Sequence, residues 1–333
     1  MNFRRCLLNT LSVAAAQGFA LAAFTLSLLL LLPLASYAQE TAARPAPKPV
    51  APPLESLLNQ AAERTLEYTN VFKDLMAEER QTVELYDPSG QLMRQRRLLS
   101  DFVVYQSQLK STLMVEYRHV REVDGVTVAD QEQRAINLFE RLVKVDSVSK
   151  ELDRIDREGS RYDLSYSIKG YTLNQGMALQ REVREAFEFR ETGRETIDGH
   201  EVVVLTYRQI AQHPLLKFNL SLPKAKAAPL YRGRLWLDAA TAQLWREERE
   251  IIIRLPKFID PIPVIRFEFQ YAPSKFKILT PQRITFSTVG SIKKVEGHAP
   301  LLAPGGRVQF EYGTFEIFDV SVKPNELTPQ RPQ

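Results

Sequence analysis

The sequence predicts an α+β fold: a strongly curved antiparallel sheet of about ten strands, a half-barrel, with two to three helices covering its concave face. Three observations predict it. Runs such as Arg266-Phe267-Glu268-Phe269-Gln270-Tyr271 and Val308-Gln309-Phe310-Glu311-Tyr312 alternate apolar and polar residues, which marks strands with one packed and one wet face. Tight turn signals at Asp87-Pro88-Ser89-Gly90, Asp124-Gly125 and Asp198-Gly199 separate such runs, and these connections are too short for crossover helices. Two long segments only, near 54–76 and 130–158, repeat apolar residues at helical steps. A sheet this wide curls through its own twist, and few helices are available to cover its apolar face.

The first 38 residues stand apart from the fold. Arg4 and Arg5 form a short basic start, an apolar stretch follows to Pro33, and Ser36-Tyr37-Ala38 places small residues at both specificity positions of a signal peptidase site. Residues 1–38 therefore read as a signal peptide cleaved after Ala38, and the chain as exported, periplasmic or envelope-associated. Retention of the apolar run as an anchor is the alternative reading. Residues 39–53 form a Pro-rich linker, stiff and without a core-forming face. A single domain is expected over 54–325, with a short tail at 326–333.

Within that domain Leu54, Leu57, Leu58, Ala61, Thr65, Tyr68, Phe72 and Met76 draw one apolar stripe on a first helix. Strands are expected near 82–86, 91–106 and 113–118, and a second helix over 130–158, closed by Gly159. A short helix is expected near 176–183. Further strands are expected at 187–190, 201–208, 232–238, 243–253, 266–271, 284–289, 308–312 and 315–320. Gly305-Gly306-Arg307 reads as a turn before the last hairpin.

Composition narrows the function classes. Of 333 residues 44% are hydrophobic and 25% charged, an ordinary globular balance that excludes a disordered chain and a multi-span membrane protein. The net charge of +4 falls to +2 once Arg4 and Arg5 leave with the signal peptide, too little for a nucleic-acid binder. Cys6 is the single cysteine, so the mature chain has no disulfide, thiolate nucleophile or cysteine metal site.

Motifs for chemistry are missing. His119, His200, His213 and His298 sit in separate elements without ligand spacing, so no metal and no cofactor is expected. There is no G-x-S-x-G elbow, although a Ser, a His and an Asp from distant positions could still converge. The adjacent acids Glu78-Glu79 and Glu247-Glu248 point to opposite strand faces and read as solvated sheet surface. The chain is accordingly expected not to be an enzyme.

Two Pro-bounded apolar segments invite a different role: 213–223 (HPLLKFNLSLP) and 255–265 (LPKFIDPIPVI). As loops at the barrel mouth they would offer Leu216, Phe218, Phe258 and Ile259 to an apolar ligand, with Lys217, Lys224, Lys226 and Lys257 on anionic headgroups. The same segments also fit loops tucked against the core. Strand aromatics such as Tyr105, Phe267 and Phe310 would line a cavity or fill a core.

The run Gly233-Arg234-Leu235-Trp236-Leu237-Asp238, followed by Thr241 and Leu244, is similar to a strand hairpin of the LolA, LolB and LppX group of exported lipoprotein carriers. Ala242 stands where that hairpin usually has Gly. The segment from Tyr86-Asp87-Pro88-Ser89-Gly90 through Ser100-Asp101-Phe102 also resembles exported proteins of acidobacterial type. The resemblance implies a helix-capped half-open barrel that holds acyl chains or another apolar ligand, and it supplies no catalytic residue. The expected function is a non-enzymatic periplasmic or envelope binding or carrier protein for a lipid, a lipidated protein or another apolar ligand. The alternative is a scaffold that binds an envelope protein through its sheet face or edge.

Overall fold

In the computed structural model the described residues are 53–318, apart from 108, 111–112, 143–144, 165–169, 217–228, 256–257, 259, 294 and 296–299, and apart from the side chain of Phe139. They belong to the compact unit formed by Val50–Gln333. No described helix is long and apolar enough to cross a membrane.

Helix α1 (Leu54–Phe72) starts at Pro53, where a missing N–H costs nothing, and buries Leu57, Leu58, Ala61, Ala62, Thr65, Tyr68 and Phe72. This is the expected stripe with Ala62 added and Leu54 half-buried at its start. Strand β1 (Leu75–Tyr86) begins within three residues of the helix end, so Met76 belongs to the sheet and not to the helix. The chain continues through β2 (Leu92–Gln106), β3 (Met114–Val123) and β4 (Val126–Thr127). Gly90 N–H donates to the Asp87 carbonyl at 2.9 Å, closing the expected turn. Asp124 and Gly125 both take positive φ, as do Asp198 and Gly199, which is the two-residue hairpin geometry that Asp-Gly favours.

The expected second helix is two helices. Helix α2 (Gln131–Leu142) ends early, and Ser147 starts α3 (Val148–Gly159) by accepting from Lys150 N–H. Helical periodicity runs through both, so a cap inside the pattern was needed to separate them. The expected helix near 176–183 is instead a chain of 3-10 turns at Thr172–Asn174, Met177–Leu179 and Arg184–Ala186. The remaining strands are β5 (Phe187–Ile197), β6 (His200–Gln209), β7 (Leu230–Asp238), β8 (Leu244–Ile253), β9 (Ile262–Pro273), β10 (Leu279–Lys293), β11 (Leu301–Tyr312) and β12 (Glu316–Ile317). Gly305 and Gly306 lie inside β11 and form no turn. A Cβ on Gly305 would fall 2.8 Å from Gly290 Cα across β10, so the two strands need glycine to approach here.

All strands form one antiparallel, open, curved sheet in the order β4-β3-β2-β1-β11-β10-β9-β8-β7-β6-β5, with β12 beside β1. Cross-strand register assigns the faces. Glu79, Gln81 and Val83 of β1 lie opposite Tyr312, Phe310 and Val308 of β11, and Phe310 lies opposite Ile284 of β10. The row continues through Phe269, Glu247, Leu235 and Leu205 of β9, β8, β7 and β6. This inner face carries the main core, closed by α1 and by Ala178, Leu179 and Val183. Phe102 and Val104 meet Tyr68 and Phe72 of α1 there. Their neighbours Val103 and Tyr105 point the other way and meet Leu138, Leu142 and Ile155. Helices α2 and α3 therefore pack on the opposite side of the β1–β3 wing from α1, a division that apolar patterning alone does not assign.

Candidate functional site

The inner face holds two buried ion clusters, one on each wing of the sheet. On the β1–β3 wing Arg118 forks onto Glu79, with Nε to Oε1 at 2.7 Å and Nη2 to Oε2 at 3.0 Å. Both of its Nη atoms also reach Glu116 Oε2 at 3.1 Å. Burial pushes the Glu79 carboxyl upward, against the pull of Arg118, and two carboxylates thus share one guanidinium. Burial disfavours the charge on Arg118 too, yet Glu79 and Glu116 hold it protonated with a pKa above its ordinary range. The guanidinium lies 5.0 Å from the Phe310 ring and 5.4 Å from Phe102, so aromatic faces shield it.

On the far wing Glu247 and Arg249 sit two residues apart on β8 and so share the inner face. Arg249 Nε donates to Glu247 Oε1 at 2.8 Å and Nη2 to Oε2 at 2.9 Å. Tyr207 of β6 adds its hydroxyl to Glu247 Oε1 at 3.0 Å, crossing β7 at Gly233. A Cβ at Gly233 would stand 2.7 Å from that hydroxyl, which explains the glycine in an otherwise bulky strand. The Arg249 guanidinium lies 4.9 Å from the Phe269 ring.

The two clusters share one client, the strap at 171–179. Glu116 Oε1 accepts from both the backbone N–H of Thr172 at 2.8 Å and its hydroxyl at 2.6 Å. Glu247 Oε2 accepts from Gly176 N–H at 3.2 Å, and Arg249 donates to the Asn174 carbonyl at 2.9 Å. Tyr68 of α1 donates to the Thr172 carbonyl at 2.8 Å. Gly176 takes a left-handed φ of +54°, and a Cβ there would lie 3.0 Å from Thr65 of α1. Tyr171 rests on Phe267 at 4.7 Å between ring centroids, and its burial pushes the phenol up to about 12. Beneath lie Phe267, Phe269, Phe286 and Phe310, each 5% exposed or less. The sequence left a hollow and a filled half-barrel both open, and with the strap seated this part of the inner face is filled.

A buried ion pair is weak support for net stability, because desolvation offsets its attraction. Its effect here is positional: each cluster presents fixed acceptors at a set height above the floor. Among the buried polar atoms beside these clusters that have no hydrogen-bond partner in the described residues are Gln81 Oε1, Ser100 Oγ and the hydroxyls of Tyr271 and Tyr312. A recess beside Gln81, Glu116 and Arg118 measures about 10 Å³, the size of one water and no larger ligand.

The outer face is different. A recess of about 800 Å³ lies over β5–β9, floored by charge rows such as Glu188, Arg208, Arg232, Glu250 and Arg266. Arg232 and Arg266 both bond Glu250, at 2.8 and 2.6 Å, and although burial opposes it these bonds keep the Glu250 carboxyl below its ordinary range. Arg190 alone among the recess arginines makes no ion pair with a described residue. The guanidinium groups of Arg234 and Arg246 lie 5.0 and 4.7 Å from the Trp236 ring centroid.

Of the residues expected at the mouth, Leu216 is 5% exposed and belongs to the main core, and Phe258 is half-buried. Phe218, Ile259, Lys217, Lys224, Lys226 and Lys257 lie outside the described residues. The expected solvated pairs need correction: Glu78 and Glu248 do face out, but Glu79 and Glu247 are 0% exposed. Their signal was available in the sequence, since each falls in phase with apolar neighbours, and Glu247-x-Arg249 and Glu116-x-Arg118 place opposite charges on one strand face.

His298 lies outside the described residues, and His119 and His200 are held by local structure. His119 Nδ1 lies 3.5 Å from Asp101 and its Nε2 3.2 Å from the Gln131 carbonyl. His200 Nδ1 lies 3.0 Å from Asp238 Oδ2. Asp238 also accepts from Ala240 and Thr241 N–H and so builds the β7–β8 turn, where Ala242 takes φ +58°. That positive φ is why a glycine is the usual residue of such a hairpin. No hydroxyl bonds either imidazole, and no metal-holding group of His, Cys, Asp or Glu occurs, among the described residues.

No family model matches this chain, and no curated protein matches it. Among solved structures it is similar to an outer membrane lipoprotein-sorting protein domain from Vibrio parahaemolyticus, at 11% identity and TM-score 0.35, over 82% of this chain and 96% of that one. It is similar to a LolA superfamily protein from Nitrosomonas europaea, at 10% identity and TM-score 0.27, covering 84% and 98%. It is similar also to the lipoprotein LppX of Mycobacterium tuberculosis, at 11% identity and TM-score 0.23, covering 78% and 95%. The resemblance to LolA and LppX thus recurs among solved structures, at a distance too great to bear on function.

Proposed function

We propose that this chain is a non-enzymatic binding or carrier protein of the cell envelope that takes up a lipid, a lipidated protein or another apolar ligand beneath the strap. One observation carries the reading. The strap at 171–179 covers an aromatic floor and is fastened at Thr172 and at Gly176 by hydrogen bonds to buried carboxylates, Glu116 and Glu247. A ligand's own donors could take over these acceptors once the strap lifts, so the buried carboxylates would not be left unsatisfied. Lifting the strap would uncover Phe267 and Phe286, and an acyl chain laid there would gain about 25 cal/mol per Å² buried. The unpaired Gln81 and Tyr271 polar atoms would orient a ligand's polar end. Leu216 and Phe258, with Phe218 and Ile259, are the proposed apolar contacts at the mouth, and Lys217, Lys224, Lys226 and Lys257 the proposed contacts with anionic headgroups.

The test is native mass spectrometry of the chain purified from a bacterial periplasm, with solvent extraction of the same sample. Near-stoichiometric co-purified lipid supports the carrier. A clean apo mass that envelope lipids leave unchanged removes it. The outer-face recess, with Arg190 free of ion pairs to the described residues, favours a second reading in that case, a scaffold that binds a protein partner through its sheet face or edge.

A further inference from the structure

The two edges of the sheet are treated unequally. At one edge β4 pairs with just two residues of β3, and α3 packs against that strand. At the other edge stands β5, eleven residues long and paired on one side only among the described residues. Arg190–Thr196 is exposed throughout, on both faces. A long edge strand with free backbone groups is a template for pairing.

The side chains of β5 decide what it would pair with. Its register on β6 is broken by a bulge between Glu191 and Gly193, which leaves Thr192 as the extra residue. Arg190 lies opposite Thr206 and Glu195 opposite Val202, four residues apart on β6, so the bulge brings these two onto one face. In a regular strand without the bulge they would stand on opposite faces, being five apart. Glu191 and Arg194, opposite Leu205 and Val203, share the other face. A second β5 laid antiparallel about a point between Thr192 and Gly193 therefore meets its own complement. Arg190 would face the partner subunit's Glu195 on one side of the joint sheet, and Glu191 the partner subunit's Arg194 on the other.

We propose that the β5 edges of two copies of this chain pair antiparallel about a two-fold axis between Thr192 and Gly193, joining the two sheets into one. The symmetry is closed and isologous, so pairing stops at the dimer. It turns the exposed edge into the centre of a continuous sheet and supplies Arg190 with an ion-pair partner that the described residues of its own subunit do not provide. This gives the edge of the second functional reading a specific occupant, and it stands whether or not the strap admits a lipid.

Sedimentation equilibrium of the purified full chain tests it. A dimer is expected for the unaltered chain. Arg190→Glu sets like charges opposite each other twice and should weaken the dimer about tenfold or more, while Arg190→Glu with Glu195→Arg restores it. Glu195 also accepts from Trp236 Nε1 at 3.0 Å, so near-ultraviolet circular dichroism accompanies the double variant. Glu191→Arg, alone and with Arg194→Glu, repeats the cycle on the other face; because Arg194 also pairs within the chain with Glu191 at 3.3 Å and Glu201 at 2.7 Å, urea unfolding of each variant accompanies it, and a weakened dimer with unchanged unfolding assigns the effect to the joint. A chain that stays monomeric up to about 100 µM overturns the proposal, as does a dimer indifferent to Arg190→Glu and Glu191→Arg.

Discussion

Thr172→Val is the most direct probe of the strap. The substitution keeps shape and volume and deletes one hydroxyl, which donates to Glu116 Oε1 at 2.6 Å. The Thr172 N–H continues to donate to the same oxygen at 2.8 Å, and Arg118 still holds Glu116 Oε2, so the carboxylate stays in place. A buried hydrogen bond to a charged acceptor is worth about 1.5–3 kcal/mol. At about 1.4 kcal/mol per factor of ten, the equilibrium for lifting the strap should rise about ten- to a hundredfold. Native-state hydrogen exchange reads this directly, because local opening exposes some amides without unfolding the rest. The amides of Asn174 and Leu179, which donate to Tyr171 and Gly176 carbonyls, are the reporters on the strap. Those of Val204 and Leu235 in the core strands are the reference. Strap amides are expected to lose protection by that factor while the reference amides move less. Equal loss at all four positions would mean that the strap opens only with global unfolding, and the proposed uptake route would be refuted.

Two further predictions follow from the buried charges. Arg249→Met leaves Glu247 buried with its main partner removed and should cost about 3–5 kcal/mol in urea unfolding, while Glu247→Leu with Arg249→Met recovers most of it. Equal loss in both variants would place the effect in packing and not in charge. Asp238 gives the pH dependence: burial raises its pKa, but the N–H groups of Thr241 and Ala240 outweigh this and hold it below the ordinary aspartate value. A depressed folded pKa contributes stability that is present above the ordinary aspartate range and is lost as pH falls through the folded value. Asp238→Asn should flatten that acid limb of the stability profile, and an unchanged limb would assign it to other carboxylates.

The sequence by itself determined the strand class, most strand positions, the first helix with its buried stripe, and the hairpins at Asp87, Asp124 and Asp198. These are local properties: alternation fixes which residues share a face, and Asp-Gly fixes a turn through backbone conformation alone. The charged residues of the inner face were partly legible, since Glu247 and Arg249 are in phase with buried apolar neighbours. That they are buried was decided by the tertiary structure, because a charge enters a core only where a guanidinium, a tyrosine and a strap backbone arrive from β8, β6 and 171–176 together. Tertiary structure also separated α1 from α2 and α3 onto opposite sides of one wing. Both kinds of helix carry an apolar stripe, and only the faces of Phe102 and Val103, adjacent in sequence and opposite in space, tell them which side to take.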